Sequence, residues 1–399
     1  MTHTLQTDNV TYLVGSKAVS TCPFAPYEAL LIEFLDDLSS GLRSYKEAKA
    51  YPDIMTFAFW CRRTNISKLK RDFADGKARL GLGLVFHITP SNVPINFAFS
   101  FAFGLLAGNA NVVRVPSKPF PQTSIICNCL NRLLGYDKYS EIKAMTAFVR
   151  YEQNDEITSM FSANCNARII WGGDEAIRGI RKLPVPERCT EITFSDRYSF
   201  CVIDAPSVIK LDEVKLKRLA EGFYNDAYLM DQNACSSPHL IVWQGKEKEA
   251  AKEKFWAAVS HIASEKYQLL AINAVDKYTI FCHDAIEFNN IKGFKRHANY
   301  VYRAAIDTLP NDMDTLRGRY GYFYEYDTDD INSIAHIINS KYQTMTYFGA
   351  DRLQLLDFVV KNRLSGIDRI VPIGNALDIG VIWDGYDIVR SLSRIIDMK

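Results

Sequence analysis

The chain has 399 residues, 48% of them hydrophobic and 23% charged, enough to bury a sizeable core and to divide into two domains. Its 47 Lys and Arg nearly cancel its 46 Asp and Glu, leaving a formal charge of +1, so no global positive field points to nucleic acid. The longest apolar stretch, Ile95 to Gly108, is interrupted by Asn96 and Ser100 and is too short to span a bilayer, so membrane insertion is not expected.

The nine cysteines form no CxxC pair, which argues against a zinc site of the usual spacing. Their number is odd, and the N-terminus has no basic segment followed by an apolar one. A cytoplasmic protein with reduced thiols and no metal is the expectation.

In chain order, the first eighty residues read as an irregular, partly helical layer, with helical spacing of apolar residues from Tyr27 to Leu42 and basic residues alternating with Leu69 and Phe73 from Ile66 to Leu80. Gly81 to Ile88 then reads as a buried strand, ended by the turn-prone Thr89-Pro-Ser-Asn92-Val-Pro94. Asn96 to Ala107 is an apolar helix, Asn111 to Val115 a strand and Thr123 to Leu134 a helix. Strands are expected at 143–149 and 167–171, the second turning at Gly172-Gly173 into a helix over 174–182. This alternation predicts a parallel α/β sheet. A further strand at 199–204 meets Pro206, near which a second α/β unit begins with a long helix over 211–229 and a strand at 240–243, followed by a helix over 246–264 and a mixed region to about residue 309. A strand at 320–326, a helix over 329–340, a strand at 344–348 and a helix near 354–362 complete the reading.

Three stretches carry candidate chemistry. Met230-Asp-Gln-Asn-Ala-Cys235-Ser-Ser-Pro-His239 puts a thiol among small and polar residues between a helix and a strand, a setting suited to a nucleophile with backbone amides nearby. His239 is either its base or the start of the next strand. Asn92, on a loop held by two prolines, offers a neutral amide donor to a carbonyl oxygen becoming negative, or simply satisfies its turn. Arg114, Ser117 and Lys118 follow the strand of Asn111, and strand ends of this kind hold nucleotides. The dinucleotide fingerprint GxGxxG opening a helix is absent. Gly172-Gly173 between strand and helix has room for a diphosphate, although Asp174 and Glu175 already answer the helix dipole.

In this order, Asn92-Val-Pro94, Gly108-Asn109 with a basic strand end, Gly172-Gly173 and Gln232-Asn-Ala-Cys235 resemble the aldehyde dehydrogenase superfamily. Within it the chain is similar to the fatty acyl-CoA reductase family of bacterial bioluminescence operons (LuxC) and its relatives outside luminous bacteria. The residues that carry this are His87-Ile-Thr-Pro-Ser-Asn-Val-Pro94, Gln232-Asn-Ala-Cys-Ser-Ser-Pro238, Arg369-Ile-Val-Pro-Ile-Gly374 and Trp383-Asp-Gly385. Residues 321–327 through 342–349 also follow the superfamily's late strand–helix–strand order, and the resemblance spans about 80 to 399.

The resemblance implies an aldehyde-dehydrogenase-like α/β fold of two Rossmann-like parallel-sheet domains with the active site between them. Residues 1–205 would form the N-terminal region and nicotinamide-cofactor-binding domain, and 206–370 the catalytic cysteine domain. Residues 371–399 would return to the cofactor domain or to an oligomer interface. It makes Cys235 the acyl-accepting nucleophile and Asn92, with the Cys235 backbone N–H, the oxyanion donor. Gly172 and Gly173 would lie under the cofactor diphosphate, with Arg114, Ser117 and Lys118 near the adenosine ribose. A lysine where the superfamily often has glutamate favours NADPH over NADH. The implied reaction runs from attack of the Cys235 thiolate on an acyl thioester, through loss of CoA, to hydride reduction and release of an aldehyde. It implies acyl-CoA or acyl-protein as substrate, an acyl-protein synthetase as partner, and a homo-oligomer.

Two departures from the superfamily stand out. Its general-base glutamate aligns with Phe194, with Glu191 just before it, and its ribose-binding glutamate with Arg317-Gly-Arg319. The first suits a reductase, which must keep water from its acyl-cysteine. The alternatives are an acylating aldehyde dehydrogenase acting on short aldehydes, and an acyl-cysteine transferase or thioesterase without a redox step.

Overall fold

Leu84-Val-Phe-His-Ile88 is buried along its whole length, as a strand covered on both faces must be, and it lies at the centre of a six-stranded sheet. The structure, a computed structural model, describes residues 2–4 (backbone only), 9–91 and 93–399. The chain divides into two units, Met1–Ser195 with Tyr386–Lys399, and Asp196–Gly385.

In the first unit the six-stranded sheet is built from β1 (Thr11–Val14), β2 (Leu84–Ile88), β3 (Ala110–Arg114), β4 (Thr146–Arg150), β5 (Ala167–Trp171) and β6 (Thr190–Phe194). Their order is β1-β4-β3-β2-β5-β6, with β1 antiparallel to β4 and all other pairs parallel. Strand order therefore reverses beside β2, where β3 lies on one side and β5 on the other. The crevice outside the carboxyl ends of such strands is where α/β sheets hold ligands.

The predicted N-terminal layer is present as α1 (Ala29–Ser44), α2 (Pro52–Trp60) and α3 (Arg63–Phe73). Leu31, Phe34, Leu35, Leu38 and Leu42 form the buried stripe of α1. Helix α4 (Asn96–Leu106), apolar on every side, is buried from Phe97 to Leu106 between β2 and β3. Helices α5 (Pro121–Leu133), α6 (Asp155–Ala163) and α7 (Asp174–Arg181) complete the crossovers. The C-terminal stretch closes this unit: Ser393–Ile395 pairs antiparallel with Arg79–Gly81. Asn109 secures that return, its Nδ2 donating to the Leu392 carbonyl (2.9 Å) while its Oδ1 accepts from the amides of Leu82 (2.6 Å) and Gly83 (3.0 Å).

The second unit holds β7 (Tyr198–Asp204), β8 (Pro238–Gln244), β9 (Ile291–His297), β10 (Val301–Ile306), β11 (Tyr322–Asp327), β12 (Tyr342–Phe348) and β13 (Arg369–Pro372). The sheet order is β9-β10-β11-β8-β7-β12-β13, parallel except for β9 against β10. Strand β7, expected in the first domain, pairs here with β8 and β12. The expected boundary after residue 205 therefore moves to 195/196, and residues 371–385 belong to the second unit. Alternate residues of β7 serve opposite faces: Cys201 and Ile203 meet Phe223, Phe255 and Trp256 from α8 (Glu213–Ala227) and α9 (Lys248–Lys266), while Phe200 and Val202 join a tyrosine-rich core.

The mixed region before residue 309 contains α10 (Ala271–Glu287) and the β9–β10 hairpin. Helix α10 packs Ile280 and Phe281 against the core but departs from the usual polarity elsewhere. Ile272, Val275 and Tyr278 are exposed, whereas Lys277 and Asp284 face inward, Asp284 accepting from the hydroxyls of Tyr322 (2.8 Å) and Tyr324 (2.6 Å). The helix expected over 329–340 is a 3-10 segment, Ile331–Ile337. Among the described residues no helix is long and apolar enough to cross a membrane.

The core of this unit also contains a charge. Buried Glu325 accepts from the indoles of Trp243 (2.9 Å) and Trp256 (2.7 Å) and from Arg303 Nε (2.9 Å). Removing one side of a bonded buried pair strands the other. Glu325→Leu is expected to cost about 3–5 kcal/mol in urea unfolding; a loss below about 1 kcal/mol would show that the carboxylate is not what satisfies Arg303 and the indoles.

Candidate functional site

Cys235 lies on the loop between α8 and β8, at the amino-terminal edge of the second sheet, and is half-buried. The loop is shaped by two residues in left-handed backbone, Asp231 (φ 52°) and Gln232 (φ 63°), a conformation that side-chain-bearing residues adopt only when neighbours hold it. Gln232 is held by its buried amide. Nε2 donates to the carbonyls of Pro238 (3.1 Å) and Tyr322 (2.9 Å), and Oε1 accepts from Gly321 N–H (3.1 Å). Asp231 accepts from the Tyr267 hydroxyl at 2.5 Å.

Beyond them, Ser237 N–H closes a turn on Ala234 O (2.9 Å) and Ser237 Oγ donates to Asp226 O (2.7 Å). Ser199 at the start of β7 donates to the Cys235 carbonyl (2.6 Å) and accepts from Thr344 N–H (3.1 Å). The backbone N–H of Arg197 donates to the Cys235 sulfur. The nucleophile candidate is therefore fixed at both its carbonyl and its sulfur by residues far away in sequence.

Burial pushes the Cys235 thiol above its ordinary range. The Arg197 N–H and the Arg317 charge pull it down, while Asp196 and Asp384 push it further up. His239 is not the base. It is the second residue of β8, its ring stacks on Tyr198 at 5.2 Å, and its Nδ1–H donates to Gly318 O at 3.1 Å. Burial lowers it to about 3, so it is neutral at working pH.

The C-terminal motifs brace the same unit. Asp226 of α8 accepts from the amides of Gly374 (2.6 Å) and Ala376 (2.9 Å). Arg369 lies 4.1 Å over the Trp383 ring and donates to the carbonyls of Asn375, Ala376 and Asp378.

In the first unit, the other predicted residues gather at one sheet edge. Gly172-Gly173 follows β5, and Arg114, Ser117 and Lys118 end or follow β3, on either side of β2. A Cβ on Gly173 would meet nothing within 4 Å, and one on Gly172 only the Ala176 methyl at 3.5 Å. Internal packing thus makes no demand for glycine at either position, and the space over them is open. Arg114 lies 4.4 Å over the Tyr151 ring, Ser117 is half-buried, and Lys118 is exposed. Asn92 lies outside the described residues; next to its loop, Thr89 Oγ1 donates to the Arg114 carbonyl (2.7 Å), tying the ends of β2 and β3.

Beneath that edge runs a buried polar relay that the sequence did not disclose. Trp171 Nε1 donates to Ser100 Oγ (3.0 Å), Ser100 Oγ meets His87 Nδ1 (2.8 Å), His87 Nε2 meets Asn111 Oδ1 (3.0 Å), and Asn111 Nδ2 donates to Asn109 O (2.7 Å). The Asn111 acceptor assigns the proton to Nε2, so Nδ1 accepts from Ser100. Burial lowers His87 to about 4, keeping the ring neutral.

Phe194, at the expected general-base position, ends β6 with its ring stacked on Trp171 at 3.7 Å. Glu191 is fully committed, accepting from Arg168 (2.6 Å) and Arg181 (2.6 Å). Burial pushes its carboxyl up, but those two arginines hold it below the usual range.

The model of the acyl-CoA reductase (LuxC) family matches residues 70–396. A long-chain acyl-protein thioester reductase from Aliivibrio fischeri is 21% identical over 325 residues, covering 79% of this chain but 63% of that protein. The chain thus corresponds to less than two thirds of that relative's length. The fold is that of aldehyde dehydrogenases. Aldehyde dehydrogenase 21 from Physcomitrella patens, solved with succinate, superposes with a TM-score of 0.62 at 12% identity, over 93% of this chain and 86% of that one. A 1-pyrroline-5-carboxylate dehydrogenase from Thermus with bound NAD gives 0.62 at 11%, over 99% and 91%.

The raised thiol has a direct consequence. Alkylation of Cys235 by iodoacetamide, followed by mass spectrometry of its peptide, is expected to rise roughly tenfold per pH unit from neutrality until past the ordinary thiol range. A plateau below pH ~8 would show a resting thiolate instead.

Proposed function

Because the chain belongs to the acyl-CoA reductase (LuxC) family, we propose that it reduces an acyl thioester to an aldehyde through an acyl group held on Cys235, with NADPH as the reductant. The observation that carries the reading is the mounting of Cys235. Its sulfur faces a backbone N–H and its carbonyl is drawn onto Ser199, so a half-buried thiol is held in one place without being packed away.

On this reading Cys235 gives up its proton, its sulfur bonds to the acyl carbon, and the donor's thiol leaves carrying a proton. Asn92 and the Cys235 backbone N–H steady the oxyanion of that step. A bound nicotinamide would supply hydride chemistry here, and the Cys235 sulfur would take up a proton as the aldehyde leaves. Gly172 and Gly173 would accommodate the diphosphate, with Arg114, Ser117 and Lys118 beside the adenosine ribose. The Thermus dehydrogenase of the same fold carries NAD, which supports a nicotinamide cofactor here; Lys118, exposed and cationic, supports the 2′-phosphorylated form.

Water is kept inactive on this reading. The aromatic pair Trp171–Phe194 stands where a glutamate would otherwise activate it, and Glu191 is locked by two arginines. The donor is acyl-CoA or an acyl-protein, the latter supported by the name of the Aliivibrio relative. An acyl-protein synthetase partner, a homo-oligomeric state and a cytoplasmic setting complete the proposal; the nine cysteines, none in a disulfide, fit a reducing compartment.

Radioactive acyl-CoA is expected to label wild type and not Cys235→Ala, and wild type with acyl-CoA is expected to consume NADPH. Release of CoA without loss of NADPH absorbance would make the protein a transferase or thioesterase. Labelling that persists in Cys235→Ala would move the nucleophile elsewhere. Lys118→Glu is expected to lower kcat/KM with NADPH roughly tenfold, the loss of one charge-assisted bond, while sparing NADH; an equal loss with both cofactors would remove Lys118 from the 2′-phosphate.

A further inference from the structure

We propose that Cys165 and Cys189 form a redox site: a hydroperoxide oxidises the two thiols to a disulfide, which staples the entry of edge strand β6 to the chain leaving α6. The site lies wholly within the first unit and does not rest on Cys235 as the nucleophile. Both cysteines are free thiols that the acyl-transfer chemistry leaves unused.

The sheet brings these residues together across 24 positions of sequence. Cys165 lies between α6 and β5, its N–H donating to Ser162 O at 3.4 Å. Cys189 directly precedes β6, which stands at the end of the sheet and pairs with β5. That parallel pairing sets Ala167 opposite Thr190, and Thr190 N–H donates to Asn166 O at 3.1 Å. The two backbones are therefore already held side by side where the thiols meet. Their sulfurs are 3.7 Å apart. A disulfide needs about 2.05 Å, an approach that rotation of two short side chains supplies without moving either strand.

Access divides the roles. Cys165 is fully buried, its Sγ 3.2 Å from Ser162 O, whereas Cys189 is half-buried at the end of a loop whose Pro184, Val185, Glu187 and Arg188 are exposed. A dissolved oxidant meets Cys189 first. The electrostatics agree in sign: contact with Cys165 lowers Cys189, and the same contact together with burial raises Cys165. The thiolate of Cys189 attacks one peroxide oxygen, the O–O bond breaks, and the other oxygen leaves as water (or, from an organic peroxide, as alcohol) with the thiol's proton. Cys165 sulfur then attacks the sulfenic sulfur of Cys189, the S–O bond breaks, and hydroxyl leaves as water with the Cys165 proton. Two thiols lose two electrons, and these reduce one peroxide.

The test reads the sulfurs directly. Hydrogen peroxide is added to the reduced protein, remaining thiols are blocked with N-ethylmaleimide, and peptides are mapped by mass spectrometry without reductant. A peptide pair joined through Cys165 and Cys189 is expected in wild type and equally in Cys235→Ala, and is expected to open with dithiothreitol. It is expected to be lost in Cys165→Ser and in Cys189→Ser. In Cys165→Ser, dimedone is expected to capture a sulfenic acid at Cys189; in Cys189→Ser, capture at Cys165 is expected to be roughly tenfold lower. Amide hydrogen exchange along Thr190–Phe194 is expected to slow severalfold on oxidation of wild type. Oxidation of other cysteines without the linked pair, or a linked pair that forms only in urea, overturns the redox site. Stronger capture at Cys165 than at Cys189 overturns the order of attack, and unchanged exchange overturns the staple. Because Cys235→Ala is read alongside, failure of the acyl-cysteine reading leaves this site standing.

Discussion

The carboxamide of Gln232 ties the loop that carries Cys235 to the beginning of β8 and to β11 at once. A loop at the amino edge of a parallel sheet has no ladder to hold it, and its backbone groups must find partners one at a time. Gln232 does this with both protons and its oxygen, in a buried place where each lost bond would leave a polar group unpaired at about 1–3 kcal/mol. That satisfaction is what sustains left-handed backbone at Asp231 and Gln232. With those two turned, the chain doubles back, Ser237 reaches Asp226, and Cys235 meets Ser199 and Arg197.

Much of the fold was legible because parallel strands covered on both faces read as apolar runs. β2, β3, β5, β7 and β8 all fall where such runs lie. What escaped was structure whose polarity runs against the rule. Helix α10 buries Lys277 and Asp284 and exposes Ile272 and Val275 while packing Ile280 and Phe281 inward, so its pattern marks no single face. The same holds at the site. Cys235 and Gln232 were visible as one local motif, but Ser199, Arg197 and Asp196 reach the cysteine only through the pairing of β7 with β8 and β12. The His87–Ser100–Asn111–Trp171 relay joins two helix-separated strands to a third. No spacing rule in one sequence encodes contacts of that kind.

The titratable groups sort themselves by burial. His87 and His239 are neutral because nothing in their surroundings compensates a buried positive charge, and each serves as a fixed hydrogen-bonding ring. Glu191 is ionised because two arginines compensate it, and for that reason it is not available to accept a proton from water. Cys235 differs from all of these. Its thiol is held up by burial and two carboxylates and drawn down by one amide and one guanidinium, with the net effect upward, toward the protonated thiol. On the proposed reading, a thiol that alternates with a thioester would rest protonated and would not need a permanent negative charge.

The first unit raises a comparable question of sign at Gly172-Gly173. A diphosphate seated on the amino end of α7 would meet Asp174 and Glu175 in the first turn, and the helix dipole is already answered by those carboxylates. The open space lies over the glycines themselves, before the helix begins. Groups able to attract phosphate stand instead at the end of β3, where Arg114 and Lys118 flank the hydroxyl of Ser117. On the proposed reading the glycines after β5 would supply clearance, and the end of β3, on the far side of β2, would supply charge. Such a division of labour would let the proposed nucleotide site at this sheet edge do without the glycine fingerprint that places phosphate on a helix.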